Sequence, residues 1–455
     1  MFTGTYYFHR RSFHLVKYPS RRTASYILTQ FDITQQQLKK IQHETYNKLK
    51  LAGETRARST VLVNDVVRLK GRLDYIMETM SGRKMNQLQP DLRSLLRIGC
   101  YELLFDDHVP EYAAIHSSVD LTKELINKKA AGLTNAVLRK ILRQLESDPQ
   151  WLANLSMKPE WQSFPKWMIK KWEKQFGEKV TIKLCQTYNQ PVPMFLRLNQ
   201  GRMKLKSAIK NLAVEGIVAE KYESLPDFLR VTKGQSKVLY TPLFTSGIVS
   251  VQDPASAAII HLLEPKPGET VLDVCAAPGT KSLMIAEMVT SKGTVLASDR
   301  DKTRVDAGIR DMERHQLRNI RWSVLDALEN NFPSSKKILV DAPCTGTGVI
   351  GRRPDIKWRR KVSDGAEMAE LQLSLLINVS RYLMSGGTLV YATCSLEPEE
   401  NWGVVEQFLK SNRQFKLIPP NSNIPKGWIN EEGCLMTFPA YHGTDGMFAA
   451  KLSKT

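Results

Sequence analysis

Thr270-Val-Leu-Asp-Val-Cys-Ala-Ala-Pro-Gly-Thr-Lys-Ser282 decides the fold. Its apolar start reads as a buried strand. The small residues after Asp273 read as a tight turn into a helix that runs to about Met288. The pattern then repeats. Gly293-Thr-Val-Leu-Ala-Ser298 precedes a helical stretch through Met312, Ile320-Arg-Trp-Ser-Val-Leu325 is a third strand, and Lys337-Ile-Leu-Val340 and Thr388-Leu-Val-Tyr391 are a fourth and fifth. Met368, Leu371, Leu375, Leu376, Val379 and Leu383 stripe the helix between the last two. Alternating buried strands and helices predict an open, mostly parallel, doubly wound α/β sheet of the Rossmann-like kind. Such sheets bind ligands at the carboxyl ends of their strands, where the strand order reverses.

Upstream the pattern changes. Leu92, Leu95, Leu96, Gly99, Leu103 and Leu104 recur at three- and four-residue steps, and Val119, Leu121, Leu125 and Ile126 continue the spacing. After Gly132 another amphipathic helix, Leu133 to Leu142, carries Arg139, Lys140 and Arg143 on its polar side. Several helices with short links imply an all-α bundle. Between them and the sheet, Phe195–Leu198, Gly216–Ala219 and Phe228–Val231 read as strands and Lys206–Ala213 as a helix, making a small α/β module. The expected divisions are a basic extension at 1–19, a helical domain at 20–148, a linker module at 149–240 and the sheet domain at 241–455.

A chain of 455 residues calls for two or three domains. Its 42% apolar and 24% charged residues are ordinary for a globular protein. No apolar run approaches the roughly 20 residues that span a bilayer. The net charge of +19 favours a polyanion as partner, and nucleic acid is the commonest. The six cysteines form no CxxC pair, which speaks against zinc and against a disulfide scaffold, and for a reducing cytoplasm. Arg10, Arg11, Lys17, Arg21 and Arg22 all precede the first acidic residue, Asp32. An Arg-rich, acid-free start can be a transit peptide; a basic tail or an early start codon is the preferred reading, because the segment lacks an apolar stripe.

Asp273 ends the first strand, Asp299 the second, Asp326 the third and Asp341 the fourth. One such aspartate is ordinarily a helix cap; four at successive strand ends point to a ligand. The turn is neither a GxGxxG nor a GxxxxGKS loop, so neither a dinucleotide nor a phosphate-loop nucleotide is indicated. A ligand with a ribose, an amine and a positive centre fits, and S-adenosylmethionine has all three. At the same sheet edge, Cys344 in Asp341-Ala-Pro-Cys-Thr-Gly-Thr-Gly348 and Cys394 in Tyr391-Ala-Thr-Cys-Ser395 follow neighbouring strands. Two thiols there suggest covalent chemistry on a substrate beside the cofactor. Cys100, Cys185, Cys434 and the thiol of Cys275 read as buried small residues. Arg352, Arg353, Lys357, Arg359, Arg360 and Lys361 flank Trp358 just after the Cys344 loop and read as a phosphate-gripping edge for a nucleic acid.

These motifs resemble the Sun-type RNA cytosine-5 methyltransferases. The resemblance rests on Asp273–Ser282, Asp341–Gly348 and Thr393-Cys-Ser-Leu-Glu-Pro-Glu-Glu-Asn401, with Val251–Ser256, Arg353–Trp358 and His442–Phe448. Leu95–Leu104 and Thr134–Arg139 are similar to a NusB-type helical RNA-binding domain. That domain ahead of this sheet is similar to the bacterial Sun or Fmu type, which methylates a cytosine of 16S (small-subunit) ribosomal RNA. The resemblance implies a class I methyltransferase sheet. It implies Cys394 as nucleophile and Cys344 as the thiol that assists product release. It also implies an S-adenosylmethionine site at Cys275, Ala276, Ala277, Pro278, Gly279, Thr280 and Lys281 with Asp299, Asp326 and Asp341. Asp341 is further placed, by strand position, to stabilise the adduct at the ring nitrogen. Thr280 stands where the family has Gly; with a negative φ it does no harm.

A transfer RNA cytosine-5 methyltransferase, or a non-catalytic RNA-binding assembly or antitermination factor, are the other readings. The expectations are a monomer that binds no membrane and no metal and acts on ribosomal RNA.

Overall fold

The computed structural model describes residues 17–455. The basic start of the chain, whether tail or transit peptide, therefore falls largely outside the described residues. Among those described, no helix is long and apolar enough to cross a membrane.

Two compact units are formed, the first from residues up to Gln190 together with Ile350–Arg360, the second from 191–349 and 361–455. The first unit is helical: α1 (Pro19–Thr34), α2 (Leu38–Leu49), α3 (Gly53–Arg68), α4 (Lys70–Ser81), α5 (Pro90–Leu104), α6 (Glu111–Leu125) and α7 (Lys128–Ser147). Shorter helices at Trp151–Ser156, Lys166–Phe176 and Glu178–Tyr188 follow. The stripe read in the sequence is the buried face of α5. Gly99 sits in it because a Cβ there would lie 2.6 Å from Ser118 Oγ of α6 and 2.7 Å from a Leu138 methyl of α7. Gly132 does not break a helix as the sequence suggested. It lies inside α7, whose N-terminus is capped by the Asn127 side chain accepting from Ala130 N at 2.9 Å. Twenty residues of amphipathic helix offset the roughly 1 kcal/mol that an interior glycine costs.

Charges are buried in this bundle, each with partners. The Arg97 guanidinium of α5 donates to both oxygens of Asp74, at 2.7 and 2.8 Å, and to Asp32 Oδ2 at 2.6 Å. Glu102 accepts from Arg21 and Arg58, each at 2.7 Å. A buried charge kept in such geometry is tolerated; removing one partner leaves the other stranded.

The second unit begins with β1 (Met194–Leu198), β2 (Val218–Lys221), β3 (Phe228–Lys233) and β4 (Val249–Val251). They form an antiparallel sheet of order β2-β3-β1-β4, with helix Leu205–Val214 contributing Ala208 and Leu212 to its core. Of the segment 149–240, the three helices up to Tyr188 fall in the first unit, and helix Leu205–Val214 with β1 to β3 falls in the second.

The large sheet contains β5 (Thr270–Asp273), β6 (Thr294–Asp299), β7 (Ile320–Val324), β8 (Ser335–Asp341), β9 (Leu383–Thr393), β10 (Phe415–Leu417), β11 (Leu435–Met436) and β12 (Phe448–Lys454). The order is β10-β12-β9-β8-β5-β6-β7, with β11 on β12. Strands β5 to β9 pair in parallel, and β12 is antiparallel to β9 and β10. Leu383 opens β9 rather than closing the preceding helix, which ends at Ser380. The chain moves outward from β5 through β6 to β7, then crosses to β8 on the other side of β5. The order reverses between β5 and β8, so the ligand crevice of such a sheet falls at Asp273 and Asp341.

Candidate active site

At that reversal the carboxyl ends of β5 and β8 are tied by a side chain from the next helix. Lys281, in the first turn of helix Thr280–Val289, donates to Asp341 Oδ2 at 2.7 Å. Burial opposes the charge on Lys281. Asp341 more than offsets this, by its charge and its hydrogen bond, with Cys394 adding to it, so the ammonium is held above its usual range.

Asp273 is fully buried. Its Oδ2 accepts from Ser282 Oγ at 2.7 Å, while Oδ1 has no hydrogen-bond partner. Burial raises its carboxyl from 3.8 to about 7, with Ser282 pulling the other way. A buried carboxyl oxygen without a partner among the described residues is a feature that a native structure accounts for by a bound group or a proton. The turn beside it is closely packed. Gly279 has φ 109°, and a Cβ on it would come within 3.0 Å of the Trp322 ring. Thr280 is the first residue of the helix, so the substitution noted in the sequence falls where a side chain is harmless.

Asp299 is buried and engaged. It accepts from Ala277 N at 3.2 Å and Asp301 N at 3.1 Å, and pairs with Arg304 at 3.1 Å. Arg304 also donates to the Ala277 carbonyl, so it lies across the turn. Asp326 lies two residues beyond β7 and accepts from Leu328 N at 2.9 Å, bracing its own turn. Cys275 and Ala276 follow β5; the Cys275 thiol is pushed far up by burial and then by Asp273, Asp299 and Asp341, and is inert as a nucleophile.

One strand further along, Cys344 and Cys394 meet. Their Sγ atoms are 3.2 Å apart, and Cys394 N lies 3.3 Å from Cys344 Sγ. The hydrogen bond to Cys394 and burial both raise the Cys344 thiol well above its ordinary range. Adjacent parallel strands explain the meeting: Asp341 of β8 is in register with Ala392 of β9, so each cysteine falls in the loop just past its strand.

The two loops are held by a residue that no motif had singled out. Glu400 is completely buried and accepts from Thr345 N (2.8 Å), Thr345 Oγ1, Ser395 Oγ (2.6 Å) and Gln372 Nε2 (2.9 Å). Thr345 follows Cys344 and Ser395 follows Cys394, so one carboxylate grips both loops. Burial pushes its carboxyl up, against those donors. Asn401 adds a second brace, accepting from Thr393 Oγ1 at 2.6 Å and donating to Ser395 O at 2.9 Å. A third loop closes on these. Gly348 N donates to Cys394 O at 2.9 Å, and Gly446 N donates to Gly348 O at 2.8 Å. A Cβ on Gly348 would fall 2.0 Å from Gly446 O. The tetrad at Glu397-Pro-Glu-Glu400 was in the sequence, but only the fold shows which glutamate faces inward.

The basic run after the Cys344 loop needs correction. Lys357 and Trp358 are not on a phosphate-gripping edge; they pack into the helical unit. Lys357 is fully buried, donates to Arg68 O at 2.8 Å and to Asn189 Oδ1 at 3.1 Å, and lies 4.0 Å from the Phe164 ring centre. Trp358 Nε1 donates to Val67 O at 2.8 Å. Arg359 donates to Gln35 O at 2.9 Å and pairs with Asp355. Apolar neighbours at Pro354 and Ile356 made this run a buried plug; charge density alone hid that. Arg352 and Arg353 are exposed and Arg360 is half-buried.

A doubly wound sheet of this order, with a buried carboxyl at its switch point and two thiols in contact alongside, has the architecture of a class I methyltransferase. The comparisons narrow this. The profile for 16S rRNA methyltransferase RsmB/F matches residues 260–453, the NusB family profile matches 19–143, and an RsmF/B-like ferredoxin-like domain matches 164–237. The probable ribosomal RNA small subunit methyltransferase B of Bacillus subtilis is 34% identical, over 89% of this chain and 92% of its own. The ribosomal RNA small subunit methyltransferase B of an Escherichia coli strain is 32% identical over the same shares. Among solved structures, that of PH0851 has a TM-score of 0.78 at 27% identity, covering 96% of this chain and 99% of that one. A methyltransferase homologue from Pyrococcus horikoshii gives 0.56 at 28% identity, over 65% and 96%. The chain belongs to the RsmB/F family of 16S rRNA methyltransferases.

Proposed function

We propose that this protein is an S-adenosylmethionine-dependent methyltransferase that methylates carbon 5 of a cytosine in small-subunit ribosomal RNA, through a covalent bond between Cys394 and carbon 6 of the base. The observation that carries this is the thiol pair at 3.2 Å beside the Lys281–Asp341 pair.

Carbon 5 of cytosine is a weak nucleophile. Adding a thiolate at carbon 6 breaks the ring's aromaticity and gives carbon 5 enamine character, which splits one hard step into easier ones. Cys394 is the better attacking group of the two. Its Thr-Cys setting resembles that of the family's nucleophile, and its sulfur is within electrostatic reach of the Lys281 ammonium. Asp341 and Lys281 face the charge that develops on the base. Asp341 accepts from the exocyclic amine, and Lys281 donates toward the ring as electron density moves onto it. The orphan Asp273 Oδ1, the Cys275–Lys281 turn and Asp299 fit S-adenosylmethionine, with Asp326 at the rim. When bound, that cofactor supplies an electrophilic methyl group to carbon 5. Release then transfers the carbon 5 proton to a water molecule, the C5–H electron pair forms the C5=C6 double bond, and the C6–S pair returns to the Cys394 sulfur. The Cys344 S–H, in contact with that sulfur, donates a hydrogen bond to it as it leaves. The base must be unstacked to reach the thiols, which favours a loop or single-stranded target.

The test is methyl transfer from labelled S-adenosylmethionine to small-subunit ribosomal RNA from cells lacking this gene, followed by nucleoside mass spectrometry. Label in 5-methylcytidine at one position is the expected result. Label in another nucleoside, or in transfer RNA alone, would overturn the reading.

A further inference from the structure

The helical unit holds an open cleft of about 420 Å³, apart from the catalytic residues, lined by Arg72, Trp161, Gln162, Gln186, Asn189 and Met157 among others. Arg72 projects from α4. Its Nε donates to Trp161 O at 3.1 Å, and its guanidinium lies 4.2 Å from the centre of the Trp161 ring and 5.7 Å from that of Phe105. The side chain is thereby anchored at Nε and against the Trp161 ring, at the wall of the cleft.

The electrostatics of this wall are unbalanced. Arg68 pairs with Asp65 and Lys70 with Asp74. Arg72 and Lys357 have no carboxylate within ion-pair distance among the described residues. Lys357 instead donates to Asn189 Oδ1 behind the cleft, where burial holds its ammonium well below the usual range, and Asn189 Nδ2 donates to Gln162 O at 2.7 Å. Burial lowers Arg72 to about 10, which leaves it charged at neutral pH. A cation with no counter-charge on a concave wall creates a positive potential that an anion relieves. The rest of the lining selects among anions. Gln162 and Gln186 each offer donors and an acceptor, which suits base and sugar edges rather than a bare ion. Trp161 and the exposed Met157 supply apolar surface for a base.

We propose that this cleft is an accessory RNA site that takes a phosphodiester on Arg72 and the flanking nucleotide on the amides and Trp161. It rests on the reading that the substrate is RNA, and it adds a grip remote in sequence from the catalytic cysteines. A planar arginine fork matches two phosphate oxygens, and each phosphate neutralised on a single strand contributes about 0.7 to the slope of log affinity against log salt.

The experiment is fluorescence anisotropy of the full chain with a labelled single-stranded RNA across a potassium chloride series. The variants are Arg72→Gln, Arg72→Lys and Met157→Glu. Arg72→Gln is expected to weaken binding about five-fold and to reduce the salt slope by about 0.7. Arg72→Lys should keep the slope and lose part of the affinity. Met157→Glu, at an exposed rim position that does not endanger folding, should weaken binding in the same direction. If wild type binds RNA and all three variants match it in affinity and slope, the cleft is not an RNA site, though the RNA-substrate reading stands. If wild type itself does not bind, that reading fails first. Poly-glutamate or inorganic phosphate displacing the RNA from wild type at equal charge, and from Arg72→Gln less well, would reassign the cleft to an acidic protein or a free anion.

Discussion

Cys344 Sγ lies 3.2 Å from Cys394 Sγ, yet the two thiols are not equivalent. Cys344 is raised by its bond to Cys394 and by burial, and the Cys394 N–H donated to its sulfur offsets part of this. Cys394 instead lies near enough to Lys281 to contribute to that ammonium's stability. Two like groups in unlike fields can take different roles, one as nucleophile and one as hydrogen-bond donor to it.

Glu400 should be the residue on which both cysteine loops depend. Glu400→Ala removes the carboxylate acceptor shared by Thr345 N, the Thr345 and Ser395 hydroxyls and Gln372 Nε2, all of them buried. A loss of about 3 kcal/mol in denaturant unfolding is expected, because each stranded polar group costs on the order of 1–3 kcal/mol. Glu400→Gln should cost less. The rate at which a thiol reagent modifies Cys394 should change in both, since Ser395 is no longer fixed. An unchanged unfolding midpoint in Glu400→Ala would show that the loops stand without it.

Asp273 predicts a pH dependence with a definite sign. Its carboxyl ionises near 3.8 in the unfolded chain and near 7 in the folded one. Between those values the folded state binds more protons, so stability falls as pH rises from about 4 to 7 and is level above. The shift corresponds to about 4 kcal/mol. Asp273→Asn should match wild type at the acid end of this window and melt higher than ligand-free wild type above pH 7. Parallel melting curves for the two proteins across the window would refute the assignment.

The sheet and its crevice were legible in the sequence because buried parallel strands leave short apolar runs and their carboxyl ends leave small or acidic residues. The cysteines could be placed on neighbouring strands, but sequence order held no information on their field. Glu400 stayed hidden among Glu397, Glu399 and Glu400, since only the fold buries one against two loops. Lys357 and Trp358 were misread because six cations near a catalytic loop look solvated, whereas burial is decided by what α3 and Phe164 offer them. Gly132 was misread as a boundary because local propensity was weighed without the packing of α7.

The segment 350–360 should behave as part of the helical unit rather than as a free RNA-binding edge. Trp358→Ala removes a ring held by Val67 O and stacked by Lys70 at 4.7 Å. A destabilisation of about 3 kcal/mol is expected from the lost packing. Its mark should be faster protease cleavage within 350–360 and a lower melting temperature. RNA affinity lost without any change in melting would return Trp358 to the surface role that the structure denies it.

The division of labour between the two thiols is tested most directly by trapping. Cys394→Ser and Cys344→Ser are each incubated with small-subunit ribosomal RNA and S-adenosylmethionine, then run on a denaturing gel for a covalent protein–RNA band. The account predicts no band and no turnover for Cys394→Ser. For Cys344→Ser it predicts a stable band and little or no released product. A band from Cys394→Ser and none from Cys344→Ser would reverse the roles, and no band from either would contradict the covalent mechanism.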